Sequence, residues 1–137
     1  MYNMSDSPLS LKSSDFAVRI MNMVEYLGKK INKKFAPILD QVLRSGTSVM
    51  ANIGESQYAQ SRADFISKLH ISLKEANESN KWLLLLERKG CLSPKEYESI
   101  RKDCDELIAM LTASIKTAKS NLEKEKGEKG VNGNPEN

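Results

Sequence analysis

Apolar residues recur at intervals of three and four along most of the chain, and this spacing limits the possible folds more than any other feature. It places apolar side chains on one face of an α-helix, whereas a half-buried strand needs strict alternation. The first such stretch contains Phe16, Ile20, Met23, Val24, Leu27 and Ile31. Similar stretches continue to about Leu122, and no competing strand pattern occurs. The pattern therefore predicts an all-α protein.

Capping and stop signals divide the helical stretches into four. Pro37 suits a first helical turn, and Ser61 is an N-cap residue followed three positions later by Asp64. Gly90 is a natural stop, and the run Ser93-Pro94-Lys95-Glu96 combines a cap, a first-turn proline and a capping-box glutamate. We predict helices at about 15–34, 37–58, 62–89 and 94–123. Since the connections are short, we expect an antiparallel up-down-up-down four-helix bundle.

Composition indicates one domain with polar ends. The chain has 137 residues, of which 39% are hydrophobic, and this suits a single core. Residues 1–12 and 125–137 lack the helical spacing, so we expect a disordered leader and a disordered tail around a bundle at 13–124. No run approaches the roughly 18 apolar residues of a membrane span, and the first residues do not resemble a signal peptide. We expect a soluble cytoplasmic protein.

The sequence lacks a recognisable catalytic or metal-binding set. It contains one histidine, His70, and two cysteines, Cys91 and Cys104, without a CxxC pair. Zinc sites and di-metal bundles need more ligands than these. Phosphate-binding glycine loops and nucleophile motifs are also missing. We predict no enzymatic activity, cofactor or metal, and structural roles for these three residues.

The second predicted helix carries many small residues. Gly46 and Gly54 each cost about 1 kcal/mol relative to alanine inside a helix, so we expect the close approach of a neighbouring backbone to offset that cost. Asn52 lies beside the apolar stripe, where an unpaired amide is unfavourable. We interpret Asn52 mainly as a buried polar contact that fixes helix register, with a partner-facing polar site as the alternative.

Two sets of basic residues are candidates for binding a phosphate backbone. On the third predicted helix, basic residues share one face at seven-residue intervals: Lys74, Lys81 and Arg88. At the end of the first, they are Lys29, Lys30, Lys33 and Lys34. Glu78 lies between Lys74 and Lys81, so we slightly favour a solvated face with intrahelical ion pairs. No aromatic residue interleaves the stripe, and the net charge of +3 permits nucleic acid binding without demanding it.

The segment from Arg44 to Ser56 resembles a motif of bacterial four-helix bundle proteins encoded in intervening sequences of 23S ribosomal RNA genes. That motif reads R-x3-S-[IV]-x2-N-I-[AG]-E-[GS], and here it includes Ser48, Asn52, Gly54 and Glu55. A Ser/Arg-rich turn at 57–62, Phe65 and the run Ile71-Ser72-Leu73-Lys74-Glu75 extend the likeness to roughly residues 14–120. Gly54 and Ser56 stand where the family often has Ala and Gly, and the first helix lacks a frequent Trp.

The resemblance implies a homopentamer of bundles with a nucleic acid role. The chain is similar also to accessory proteins of diversity-generating retroelements, which bind RNA and a reverse transcriptase. We interpret the motif residues Ser48, Asn52, Gly54 and Glu55 as mainly structural. Two function classes stay open. We favour an oligomeric RNA-binding protein over a protein–protein scaffold or an accessory subunit of a reverse transcriptase.

Overall fold

A computed structural model describes the backbone of residues 7–132 and the side chains of residues 7–128. Its four α-helices are α1 (Pro8–Lys30), α2 (Ala36–Ser56), α3 (Arg62–Arg88) and α4 (Pro94–Asn132). A short 3-10 helix, Lys33–Phe35, precedes α2, and the described residues contain no strand. None of the described helices is long and apolar enough to span a membrane. The all-α prediction is confirmed.

The helices surround one apolar core in chain order. Each helix packs against the next, and α4 returns to contact α1. Each helix also contributes three of the largest fully buried side chains. They are Phe16, Ile20 and Leu27 on α1; Val42, Val49 and Ile53 on α2; Leu69, Leu83 and Leu86 on α3; and Cys104, Leu107 and Leu111 on α4. Burying one such aliphatic side chain contributes about 1.5–3 kcal/mol, so all four helices share the core's stabilisation. The predicted up-down-up-down bundle is confirmed.

The first helix begins at Pro8, so the expected disordered leader is wrong for residues 8–12. The Ser7 hydroxyl accepts a hydrogen bond from the Ser10 N–H at 3.1 Å, and Pro8 occupies the first turn. Ser13 is buried and donates its hydroxyl to the Ser10 carbonyl at 3.1 Å. Residues 1–6 of the expected leader lie outside the described part of the chain.

The predicted end of the first helix at residue 34 is also wrong, because α1 ends at Lys30. Ile31 is extended, with φ −91° and ψ 167°, and this breaks the helical hydrogen-bond ladder. The Asn32 side-chain oxygen then accepts a hydrogen bond from the Lys34 N–H at 2.9 Å and caps the short 3-10 helix. Lys33 and Lys34 therefore lie in the connection between α1 and α2.

The last helix continues to Asn132, so the expected disordered tail is wrong for residues 125–132. Lysine and glutamate, which dominate this stretch, are good helix formers even without an apolar stripe. Arg62 at the start of α3 also contacts the Glu125 carboxylate at 2.8 Å. Residues 133–137 lie beyond the described backbone. The observed ends of α2 and α3 differ from the predicted ones by at most two residues.

Candidate nucleic-acid interface

Arg44, the first residue of the recognised motif, joins α2 to α3 through two carboxylates. Its guanidinium donates to Glu75 at 2.7 Å and also to Glu78. The hydrogen bond to Glu75 is the main cause of a raised Arg44 pKa, so the guanidinium stays charged. Glu75 is buried, and its side chain is 11% exposed. Glu78 is thus held across the helix interface, and the expected intrahelical pairs with Lys74 and Lys81 are not formed.

Hydroxyl groups extend the polar contact between α2 and α3 into the core. Ser72 donates its hydroxyl to the Val49 carbonyl at 2.8 Å. The Ser79 Oγ lies 2.9 Å from the Ser45 Oγ and 2.9 Å from the Glu75 carbonyl oxygen, and its single hydrogen is shared between these two acceptors. The three serines are fully buried, so these bonds satisfy groups that would otherwise destabilise the core. We call the residues Ser45, Ser72 and Ser79 the serine seam.

Asn52 lies elsewhere on α2 from the serine seam. The side chain is half-buried, and its Nδ2 donates to the Ser48 carbonyl at 2.9 Å within the same helix. The interpretation of Asn52 as a buried contact that fixes helix register is therefore wrong, because its side chain is half-buried and its hydrogen bond stays within α2. Ser48 is half-buried and Glu55 is exposed. The cross-helix polar contacts come from Arg44 and the serine seam instead.

The two glycines of α2 occupy different surroundings. A Cβ added to Gly46 would lie 2.9 Å from Cγ1 of Ile20 on α1, so a neighbouring side chain, rather than a backbone, requires the glycine. A Cβ added to Gly54 would meet nothing within 4 Å. Among the described residues, a close neighbour is therefore present at Gly46, but it is a side chain rather than the expected backbone. Gly54 has no close neighbour there.

The connections α1–α2 and α3–α4 meet at one end of the bundle. The Lys89 Nζ lies 5.6 Å from the centroid of the Phe35 ring. Lys30 and Glu96 also lie close enough for their charges to interact, which contributes to a raised pKa at Lys30 and a lowered pKa at Glu96. The larger causes are the Tyr26 hydroxyl bonded to Lys30 and the Ser93 N–H bonded to Glu96. Residues from both connections therefore share one surface.

This surface, which we call the basic end, unites one predicted basic set with part of the other. Its exposed members are Lys29, Lys30, Lys33, Lys34, Arg88, Lys89 and Lys95. In the described part of the chain, no carboxylate oxygen lies within 4.0 Å of their side-chain nitrogens. Lys89 and Lys95 were not identified as candidates from the sequence. Lys89 directly precedes the helix stop Gly90, and Lys95 lies in the first turn of α4, within the capping box. The basic end is a concentration of unpaired positive charge.

The remaining predicted residues form a row along α3 that leads to the basic end. We call Lys74, Lys81 and Arg88 the α3 ridge. Lys74 and Lys81 line a shallow groove with Asn77, Glu78, Trp82 and Leu85. The expectation that no aromatic residue accompanies the stripe is therefore wrong. Trp82 is half-buried, and its Nε1 is buried without a hydrogen-bond partner in the described structure. The two predicted basic sets therefore form one extended surface that meets at Arg88.

Of the histidine and the two cysteines, only Cys91 lies near the basic end, in the α3–α4 connection. His70 is exposed on α3, and Cys91 is half-buried after the α3–α4 turn. Cys104 is buried, its thiol donates to the Ala76 carbonyl at 3.2 Å, and burial raises its pKa to about 12. No group of three or more His, Cys, Asp or Glu side chains in the described chain is placed to hold a metal ion.

The fold and this surface define a class of protein, an all-α four-helix bundle with an extended basic surface at one end. Within that class, the chain belongs to the family described as 23S rRNA-intervening sequence protein, whose family model matches residues 6–113. The resemblance inferred from the motif is confirmed.

A solved relative supports the same assignment. The chain is 48% identical, with a TM-score of 0.75, to a crystal structure from Bacteroides thetaiotaomicron VPI-5482 described as a protein with unknown function from the S23 ribosomal protein family. The match covers 79% of this chain and 98% of that chain. A comparison with curated proteins finds no match.

Proposed function

We propose that this protein is a non-enzymatic, oligomeric nucleic-acid-binding bundle whose partner is RNA. The observation that carries the proposal is the continuous surface formed by the basic end and the α3 ridge. Its cations are exposed and have no carboxylate within 4.0 Å among the described residues. Such cations bind phosphates favourably because each contact releases counterions from the nucleic acid. The family's name, which refers to 23S rRNA, supports RNA as the partner.

The distribution of ion pairs explains how a chain of +3 net charge supports such a surface. Paired cations lie between helices or on other faces, as with Arg19 and Asp103 at 2.6 Å and Arg62 and Glu125 at 2.8 Å. Arg44 is paired with Glu75 and Glu78. The carboxylates that form ion pairs therefore lie away from the basic end, and no cation of that end has a carboxylate within 4.0 Å among the described residues.

The proposal contains no catalytic step. In the described structure, the buried Glu75 carboxylate is held by Arg44, and the buried Cys104 thiol is held by the Ala76 carbonyl. The cations of the basic end and the α3 ridge supply binding, since they have no nucleophile or general base arranged beside them in the groups described above. The proposed RNA binding therefore needs only these exposed cations.

Exposed apolar side chains on α1 and α2 support the oligomeric part of the proposal. Leu11, Val18 and Met21 are each more than half exposed, and Met50 is 38% exposed. The open space at Gly54 lies on the same helix as Met50. Exposed apolar surface of this kind is covered in many oligomers. A homopentamer, which the family resemblance implies, would also multiply the basic surface and so strengthen RNA binding by avidity.

The RNA proposal is tested by charge reversal and salt titration. One variant combines Lys74→Glu, Lys81→Glu and Arg88→Glu, and a second changes Lys29, Lys30, Lys33 and Lys34 to Glu. The matched control reverses Lys116, Lys119 and Lys124, which are exposed on α4. We expect wild-type binding to weaken steeply with salt, both test variants to lose binding, and the control to retain it. Circular dichroism checks that helix content is unchanged.

The exposed apolar residues favour a second candidate function if RNA does not bind. In that case the protein is a protein–protein scaffold or an accessory subunit of a reverse transcriptase, and its lysines keep it dispersed. Absence of RNA binding by the wild type at low salt, or normal binding by both reversal variants, would establish this alternative over the RNA proposal.

The oligomer is tested by sedimentation. Five chains of 15.4 kDa give a species of about 77 kDa, which is five times the chain mass. We expect the double variant Met21→Glu with Met50→Glu to sediment as a smaller species with unchanged helix content. A monomeric wild type at micromolar concentration would contradict the pentamer.

A further inference from the structure

Three aromatic rings near the basic surface are only partly open to solvent: Tyr26 is 51% exposed, and Phe35 and Trp82 are half-buried. The Lys30 Nζ lies 5.1 Å from the Tyr26 ring centroid and donates to the Tyr26 hydroxyl at 3.0 Å. The Lys89 Nζ lies 5.6 Å from the Phe35 ring centroid. Trp82 is half-buried with its Nε1 out of contact with solvent. Unpaired bases therefore find only partly exposed rings to stack on at this surface.

The most exposed aromatic ring in the described chain lies at the opposite end of the bundle. Tyr58 is 84% exposed and follows the last turn of α2, whereas the basic end precedes the first turn. The 21 residues of α2 separate these positions by about 31 Å at 1.5 Å per residue. One stretch of bases therefore does not stack on Tyr58 while its adjacent phosphates contact the basic end.

The α3 ridge offers a straight row of cations on a rigid helix. At 1.5 Å per residue, its members lie about 10.5 Å apart and span about 21 Å from Lys74 to Arg88. No exposed residue of α3 carries a carboxylate, since Asp64, Glu75, Glu78 and Glu87 are all buried or half-buried. Glu78 lies between Lys74 and Lys81 but is paired with Arg44, so the ridge presents a rigid line of net positive charge that is complementary to a rigid line of phosphates.

We infer that the RNA bound by the α3 ridge and the basic end is double-stranded, and that it is recognised through its phosphate backbone rather than through its bases. This inference rests on the proposed function. A duplex keeps its bases paired and stacked, so it needs no open aromatic ring, and it holds its phosphates on a stiff rod that matches a straight ridge. Because backbone contacts carry no sequence information, the surface binds duplexes of different sequence with similar affinity.

The experiment compares RNA forms that carry the same number of phosphates. The probes are two duplexes of about 20 base pairs with unrelated sequences and an unstructured single strand of about 40 nucleotides, all longer than the ridge. Fluorescence anisotropy gives the Kd of the full chain for each probe. We expect the duplexes to bind at least about tenfold more tightly than the single strand and to differ from each other by less than about twofold.

Salt and charge reversal assign the duplex binding to the ridge. If the ridge makes three phosphate contacts, they account for a roughly 40-fold loss of duplex affinity between about 50 and 200 mM salt. We expect this part of the salt dependence to disappear in the Lys74→Glu, Lys81→Glu, Arg88→Glu variant. The control variant with Lys116, Lys119 and Lys124 reversed keeps the wild-type preference for duplex. If it loses that preference while the ridge variant keeps it, the site lies elsewhere and the inference is wrong.

Two further outcomes separate this inference from the proposed function. If the single strand binds as tightly as the duplex and Tyr58→Ala abolishes that binding, the inference is overturned and RNA binding stands. If neither the duplexes nor the single strand binds at low salt, the inference and the proposed function fail together.

Discussion

Gly46 on α2 and Ile20 on α1 pack so closely that a Cβ on the glycine would lie 2.9 Å from Cγ1 of the isoleucine. Ile20 is fully buried, so its side chain cannot turn out towards solvent without leaving the core. Gly46→Ala should therefore destabilise the bundle, since overpacking costs about 1–3 kcal/mol and the gain in helix propensity returns at most about 1 kcal/mol. Chemical denaturation at fixed protein concentration measures the change.

Gly54→Ala is the matched control for Gly46→Ala. An added Cβ meets nothing within 4 Å, so the substitution should stabilise the isolated bundle by up to about 1 kcal/mol. Equal destabilisation by both substitutions would show that helix packing does not distinguish the two glycines. A change of sedimentation coefficient with Gly54→Ala alone would instead place a second chain against this position.

Arg44→Ala should destabilise the protein by about 1–3 kcal/mol, because it leaves the Glu75 carboxylate largely buried without its cation. The Glu75 side chain is only 11% exposed in the presence of Arg44. Arg62→Ala, which removes a pair whose side chains are 37% and 46% exposed, should cost less than about 1 kcal/mol. Urea denaturation of both variants checks the order, and a smaller loss for Arg44→Ala would contradict the assigned role.

The capping box at the start of α4 makes stability depend on pH in the acid range. The Ser93 N–H donates to the Glu96 carboxylate at 2.8 Å, and this is the main cause of a pKa below the ordinary value of 4.5. A lowered pKa in the folded state gives stability that is present above 4.5 and is lost as the pH falls through the folded-state value.

Glu96→Gln should therefore flatten the loss of stability below about pH 4.5 and change little at low pH, where the wild-type carboxyl is already protonated. Unfolding free energies measured at several pH values give the slope. Glu98→Gln, at an exposed position of the same helix, is the control and should retain the wild-type slope. An unchanged slope in Glu96→Gln would exclude the capping box as its source.

The two cysteines should differ sharply in reactivity. Burial raises the Cys104 pKa to about 12, so roughly one thiol in 10,000 is ionised at about pH 8, and the thiol is also shielded from reagents. A thiol reagent should modify the half-buried Cys91 in the native protein and Cys104 only after unfolding. Cys91→Ser should remove the fast phase. Rapid modification of Cys104 in that variant would contradict its packing.

The fold was largely predictable because helical spacing and capping signals act locally. Ser93 and Pro94 correctly predicted the start of α4. Ser7 and Pro8 carry the same signal at the start of α1, but the apolar stripe that predicted this helix begins only at Phe16. The end of α4 was missed because the sequence after Leu122 lacks an apolar stripe, although its glutamate and lysine residues favour a helix.

The charged surface was only partly predictable, because ion pairing depends on tertiary neighbours. Glu78 lies four residues from Lys74 in sequence, yet Arg44 from another helix holds it. Likewise, the position of Lys89 over Phe35 follows from the meeting of two connections that are far apart in the chain. Spacing identified the cations, whereas the bundle decided which of them stay unpaired.

The serine seam also restricts how far α3 can slide along α2. A shift of one helical turn, about 5.4 Å, would bring aliphatic side chains into new but comparable contacts. The same shift would separate Ser72 from the Val49 carbonyl and Ser79 from the Ser45 hydroxyl. Each buried group left without its partner costs about 1–3 kcal/mol, so the serine seam favours a single alignment of α2 and α3 along their axes.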